Sequence, residues 1–214
     1  MLAREYFESL WRAGDPWDTV TSEFEQGKYA HQLGMLDGRR YARVLELGCG
    51  SGSFTALLAT VADHVVAVDI AESAIARARG QVGERDNVEF HAADIMHWDF
   101  SGDRFDLITL SDTVSCLGGA YSFVDVGCLA AAIFMATNPG GRLLLGNTYG
   151  GVRGPLFRPW LTETYRDLFV HVGYRVESEE LFKGVKEGVE IGVLLSVLLK
   201  AKEDAEERER SVWA

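Results

Sequence analysis

The sequence predicts an α/β fold built on a doubly wound, mostly parallel sheet, and three observations carry the prediction. Apolar segments near 43–47, 65–69, 88–91, 105–110 and 141–146 alternate with helical patterns near 53–61, 72–82 and 122–137. Such alternation gives parallel strands covered on both faces. The first strand runs straight into a glycine-rich turn, RVLELGCGSGSFT, from Arg43 to Thr55. The second, HVVAVDI, reaches Asp69 at its carboxyl end, where doubly wound folds hold an acid for ribose hydroxyls.

Taken in order, residues 1–40 read as helical, with EYFESLWRAG ended by Gly14 and SEFEQGKYAHQLGML capped by Ser22. Val44, Leu45 and Leu47 make the first strand apolar. Gly48, Gly50 and Gly52 then allow a sharp turn and a close backbone approach to a ligand, which a Cβ would prevent. Ser51 or Ser53 is placed to cap the helix that follows. NVEFHAADI brings a third strand to Asp94, FDLITLSDTV is a fourth, and NPGGRLLLGN is a turn and a fifth. LTETYRDLFVHVG reads as a helix capped by Thr162. GYRVESEELFKG and VEIGVLLSVLLKA read as an antiparallel pair across Gly184 to Gly188, followed by the charged tail KEDAEERERSVWA.

The turn and Asp69 together imply an adenosine-containing cofactor, and the glycine spacing narrows it. Dinucleotide sites use G-x-G-x-x-G; here the third glycine comes one residue early, at Gly52, and Ser53 takes the dinucleotide position. The pattern E-x-G-x-G-x-G, Glu46 to Gly52, resembles motif I of the class I S-adenosylmethionine (SAM) methyltransferases. The ordered strand ends at Asp69, Asp94 and Ser111 and the terminal hairpin extend that resemblance. It implies a Rossmann-like, doubly wound seven-stranded sheet with a C-terminal antiparallel hairpin, with S-adenosyl-L-methionine as cofactor and S-adenosyl-L-homocysteine as product. On this resemblance Gly48, Cys49, Gly50 and Gly52 contact the methionine portion and Glu46 receives its ammonium. Asp69 accepts from the ribose hydroxyls and Ile70 packs on the adenine. Asp94 accepts from the adenine amino group, the Ile95 N–H donates to a ring nitrogen, and Ser111 offers its carbonyl to the methionine amine. Each also has a plainer reading as a turn, a helix cap, a loop acid or a strand exit.

A closer likeness lies upstream. DPWDTVTSEFEQGKYAHQLGML, Asp15 to Leu36, resembles the signature of the NodS-like branch of these enzymes: D-P-W, then S-x-[YF]-E, then K-[YR]. That resemblance implies methyl transfer to an amino group of a sugar or glycosylated natural product. It divides one domain into a helical lid (1–40), a SAM-binding core (41–150), an acceptor loop with helix and hairpin (151–201) and the tail (202–214). Trp17, Tyr29 and Lys28 would then lie over the carboxyl end of the sheet as a lid. The branch often has S-E-x-x-Y-Y-L after its fourth strand, whereas Ser111 to Leu117 here read SDTVSCL, small residues in place of aromatics beside the acceptor pocket. Tyr149 to Glu163 reads as an acceptor-binding loop with Phe157 and Trp160 as platforms and Arg153 or Arg158 as polar contacts. A sulfonium needs an aligned acceptor more than covalent help. An amine acceptor must still lose a proton, for which Asp112 and His31, then Asn147 and Tyr149, are the candidate catalytic groups.

Composition sets the outer bounds. A formal net charge of −11 over 214 residues argues against a nucleic-acid substrate, which needs a basic surface, and fits a small-molecule acceptor. No segment reads as a signal peptide or membrane span, LAAAIFMA being too short, so the expected location is cytoplasmic, with no membrane partner. Cys49, Cys116 and Cys128 show no C-x-x-C spacing, and no cluster of acids suggests a divalent ion, so no metal is expected. A homodimer is compatible with the sequence. O-methylation of a sugar or aromatic hydroxyl, a non-catalytic SAM-binding protein and a nicotinamide-dependent oxidoreductase stay as alternatives; the glycine spacing, Asp94 and the hairpin disfavour the last.

Overall fold

Strands apolar on both faces form the parallel heart of a seven-stranded mixed sheet, ordered β3-β2-β1-β4-β5-β7-β6. The computed structural model describes residues 3–152, 154 and 157–202. Helices α1 (Ala3–Ala13) and α2 (Glu23–Gly34) precede β1 (Tyr41–Leu47). There follow α3 (Ser53–Val61), β2 (Ala62–Asp69), α4 (Glu72–Val82), β3 (Val88–Ala92), a short 3-10 turn (Ile95–His97) and β4 (Phe105–Ser111). The chain continues with α5 (Thr113–Ala120), α6 (Phe123–Ala136), β5 (Thr137–Gly150), α7 (Pro159–His171), β6 (Arg175–Lys186) and β7 (Val189–Leu199). β1 to β5 pair in parallel, and β7 runs antiparallel to both β5 and β6.

Alternation along each strand sends side chains to two cores. Leu45, Leu47, Ile108, Leu110, Leu143 and Leu145 pack under α5, α6 and α7. Val44, Leu107 and Leu144 pack on the other side against Phe24, Met35 and Leu36 in and after α2 and Phe54 and Leu58 of α3. The chain leaves β1 toward β2 and β3, then returns to β4 on the opposite side of β1. That reversal opens a crevice at the carboxyl ends of β1 and β4, the usual ligand position in such sheets.

The expected seven strands are present, and the differences have local causes. α3 begins after Gly52 in a left-handed conformation (φ 82°), with no side-chain cap; the Ser51 and Ser53 hydroxyls bond each other at 3.0 Å instead. A Cβ on Gly52 would lie 2.9 Å from Ala78 Cα, so the early third glycine is what lets α3 and α4 approach. α7 starts earlier than expected because Pro159 occupies its first turn after Arg158. Thr162 is therefore inside the helix, donating to the Thr148 carbonyl at 3.0 Å rather than capping. The hairpin turns tightly on Glu187 and Gly188, both at positive φ, a two-residue connection suited to strand twist. Gly184 lies within β6, where a Cβ would meet Phe24 Cδ2 at 2.8 Å. Residues after Asp112 form a helix, α5, outside the helical patterns expected from the sequence. Arg153 and the tail from residue 203 lie outside the described residues.

Two glycines should respond to substitution with opposite sign. Gly184→Val drives a branched side chain into Phe24 and should destabilise by about 1–3 kcal/mol. Gly80→Ala, within α4 where nothing approaches a new Cβ, should stabilise by about 0.5–1 kcal/mol. Urea unfolding midpoints of the two variants against the parent check both.

Candidate functional site

The glycine turn is held from beneath by β2. The Gly48 and Cys49 N–H groups both donate to the Val68 carbonyl, at 2.8 and 3.0 Å. Asp69 then braces the loop: one carboxylate oxygen accepts from Gly50 N at 3.0 Å and the other from Ala71 N at 2.9 Å. Burial pushes its carboxyl above the usual range, opposed by the N–H groups of Ala71, Gly50 and Ile70. Each oxygen keeps a lone pair for a further donor. Glu46, buried on β1, accepts from Thr55 Oγ1 at 2.5 Å. Burial raises its carboxyl to about 8 against the Thr55 hydrogen bond, with the Asp69 charge adding to the rise. The Cys49 thiol is also pushed up, first by burial and then by the Asp69 and Glu46 carboxylates, which makes it a packing group.

Asp94 stands at the end of the neighbouring β3. Its Oδ1 accepts from Met96 N at 3.0 Å, and its Oδ2 takes the Tyr121 hydroxyl at 3.0 Å and faces His97 Nδ1 at 3.1 Å. Ile95 is buried beside it and Ile70 is half-buried after Asp69. Two acids thus end adjacent strands on one rim, each fixed by backbone N–H groups.

The N-terminal segment meets the turn directly. Thr19 gives its hydroxyl proton to Asp15 at 2.7 Å, so in its 2.5 Å contact with Ser51 it accepts. Ser53 in turn donates to Ser51, and the DPW turn is bonded to the glycine loop through a line of hydroxyls. Trp11, only 2% exposed, rests on Gly50, Ala71 and Ala74. Trp17 packs edge-on to Trp11 at 5.4 Å and is 40% exposed. α1 is anchored on α4, whose N-cap, Ala71, has no side chain that can cap; Glu8 of α1 accepts from Ser73 N at 3.2 Å in its place. That backbone N–H holds the Glu8 carboxyl below its ordinary value. Tyr29 stacks on Phe54 at 5.4 Å.

α2 is pinned to the sheet by buried charge. Lys28 Nζ lies 2.6 Å from both Asp112 Oδ2 and Glu25 Oε2, and Lys186 reaches the other Glu25 oxygen at 2.7 Å and the Trp17 carbonyl at 2.6 Å. Burial alone would lower the Lys28 pKa; the Asp112 charge, then those of Tyr29 and Glu25, hold it above its ordinary value. Asp112 also accepts from the backbone N and hydroxyl of Thr148, at 2.9 and 3.1 Å. These contacts tie α2, the end of β4 and β5 together at one carboxylate, the geometry of a clamp.

Of the other proton-handling candidates, Asn147 is buried and accepts from Ser115 N at 3.4 Å. Tyr149 donates to Glu163 at 2.6 Å, which raises its phenol pKa. Asp112 thus follows β4, and Asn147 and Tyr149 lie in the last residues of β5. His31 instead pairs with Glu180 of β6 at 2.7 Å beside Phe182, so α2 turns it away from Ser111. Ser111 accepts from Gln32 Nε2 at 3.0 Å. Thr19, Trp11, Gln32 and Glu163 escaped the reading of the sequence as site residues, and Ser51 reads there only as a helix cap. Gln32 had a signal, lying four residues after Lys28 on the same helix face.

Two outcomes follow from these charges. Lys28→Met leaves Asp112 without its cation and Glu25 with Lys186 alone and should cost about 3 kcal/mol, part of which Lys28→Met/Asp112→Asn recovers, read from urea unfolding. Glu46 has a folded pKa of about 8 against an unfolded value of about 4.3. Between these the folded chain binds more protons than the unfolded one, so stability falls as pH rises across that window. Glu46→Gln should make that decline shallower, measured as unfolding midpoints at low and high ends of the window.

Comparison with known proteins places this geometry. The family model for Nodulation protein S (NodS) matches residues 3–133. Nodulation protein S of Bradyrhizobium diazoefficiens (strain USDA 110) is 36% identical over 121 residues, 56% of this chain and 54% of that protein. Nodulation protein S of Sinorhizobium fredii (strain NGR234) is 27% identical over 139 residues, 63% of this chain and 61% of that protein. The chain therefore spans little more than half the length of these relatives. The crystal structure of N-methyltransferase NodS from Bradyrhizobium japonicum WM9 in complex with S-adenosyl-L-homocysteine superposes with a TM-score of 0.79 at 21% identity, covering 94% of this chain and 99% of that one. With more than half of its length matched by that family, the chain belongs to the Nodulation protein S (NodS) family.

Proposed function

We propose that this protein is a SAM-dependent methyltransferase that transfers a methyl group to an amino group of a small molecule, a sugar or glycosylated natural product. The observation that carries the reading is the Gly48–Gly52 turn at the β1/β4 crevice with Asp69 and Asp94 on the next two strand ends, in a chain of the NodS family. The residues present fit the cofactor. A Cβ on Gly48 would run into Thr113 Oγ1, so the turn presents bare backbone there, and the buried Oε1 of Gln32, whose amide reaches Ser111 at the end of β4, meets no partner among the described residues.

The Gly48–Gly52 backbone would hold the methionine portion, Asp69 the ribose, and Asp94 with Ile95 the adenine. S-adenosylmethionine supplies a methyl group on a sulfonium, a good leaving group, so the protein needs no covalent nucleophile. Its own residues align and exclude: α1 and α2 cover the crevice through Trp11 and Lys28 and keep water out. An amine must present a free lone pair. Tyr149, bonded to Glu163 where the acceptor loop begins, is the group placed to pass the amine proton to a carboxylate. The net charge of −11 suits an acceptor that is a cation before it reacts.

Calorimetric titration with S-adenosylhomocysteine should show binding in the micromolar range, and no binding at millimolar ligand would overturn the proposal. Asp69→Ala should weaken that affinity roughly hundredfold, the loss of two hydrogen bonds to a charged group, with circular dichroism unchanged. Labelled methyl transfer to amino sugars, and not to their hydroxyl-only counterparts, is expected; label on the latter alone would replace the amino reading with an O-methyl one.

A further inference from the structure

Gln32 is 0% exposed, on the face of α2 that also carries Lys28. One end of its amide donates to Ser111 Oγ at 3.0 Å. The other, Oε1, is buried and meets no hydrogen-bond partner among the described residues. In this orientation the free end is the oxygen, an acceptor with two lone pairs, so it calls for a donor.

The slot is built for this side chain. A Cβ on Gly146 of β5 would lie 2.7 Å from Gln32 Nε2, so β5 omits a side chain where the amide enters. Gly146 is the register partner of Ser111. Two residues before Ser111, on the same face of β4, the Thr109 hydroxyl is also buried without a partner, and Glu46 lies directly across from Thr109 on β1. Thr113 Oγ1 donates to the carbonyls of both Leu47 and Ser111, at 2.9 and 3.2 Å, drawing the ends of β1 and β4 together. Gln32, Ser111 and Glu46 therefore converge where the glycine turn begins. A buried amide end without a partner is costly, and a leucine would fill the slot without that cost.

We infer that Gln32 is a cofactor-binding residue whose free amide end accepts one N–H of the α-ammonium of S-adenosylmethionine, the other two going to Glu46 and the Ser111 carbonyl. The inference rests on the proposed function. An ammonium has three donors, and an amide oxygen, a carboxylate and a backbone carbonyl supply three acceptors. The raised Glu46 carboxyl is consistent with a site arranged for a cation, whose arrival would ionise it.

The test is a cycle between residue and ligand group, read by calorimetry on the full chain. Wild type and Gln32→Ala are each titrated with S-adenosylhomocysteine and with its analogue lacking the α-amino group. Gln32→Ala should weaken S-adenosylhomocysteine about tenfold, one hydrogen bond to a charged group, and change the affinity of the deaminated analogue less than about twofold. Gln32→Met, which keeps the slot filled, should behave alike and serves if the alanine variant does not fold. Equal losses for both ligands would make Gln32 a purely structural residue and overturn the inference, as would no loss for S-adenosylhomocysteine. Failure of wild type to bind either ligand would remove the cofactor reading itself, whereas binding without coupling removes this inference alone.

Discussion

Lys28 is the buried ammonium on which the arrangement of this site depends. Its Nζ touches Asp112 at the end of β4 and Glu25 one turn back on α2, and Glu25 is shared with Lys186 of the hairpin. One cation thus joins the N-terminal helices, the central crevice and the terminal strands. Taking a charge out of water is repaid only when geometry and partners are complete, so α2 has one seating on the sheet. That seating brings Gln32 to Ser111 and Tyr29 to Phe54, and it fixes the side of the crevice on which the first helices close.

The rim of the crevice shows the same economy of donors. Asp69 braces Gly50 and Ala71, Asp94 caps the turn after β3, and Glu8 caps α4 from another helix. Each acid does local structural work through these hydrogen bonds. The same acids thus serve the local backbone and the ligand site, and the burial that raises the Asp69 and Glu46 pKa values is the burial that would strengthen their hold on a ligand. The NodS relatives and the superposable N-methyltransferase share the frame into which these contacts are set.

Much of this frame is legible in the sequence because it rests on local chemistry. Alternating apolar segments specify parallel strands, Gly52 must be small where α3 meets Ala78, and Ser22 caps α2 through its own neighbour Glu25. Where a contact partner lies far along the chain, the reading fails. Nothing local to Trp11 shows that Gly50 and Ala71 are brought beneath it. Thr162 looked like a cap until Pro159 began the helix earlier. His31 and Lys28 are three residues apart, yet only the packing of α2 sends one to β6 and the other to Asp112.

By itself, then, the sequence determined the α/β class, the succession of strands along the chain and the glycine turn with its two acids, consequences of short-range periodicity and backbone sterics, while the DPW segment carried the family likeness. Only the tertiary structure decided that Asp112 is clamped by Lys28, that Glu8 caps a helix it does not belong to, and that Gln32 enters β5 at Gly146 with one amide end unpaired. The reason is physical: the charge state and bonding of a side chain are set by desolvation and by partners tens of residues away, and a linear pattern carries neither.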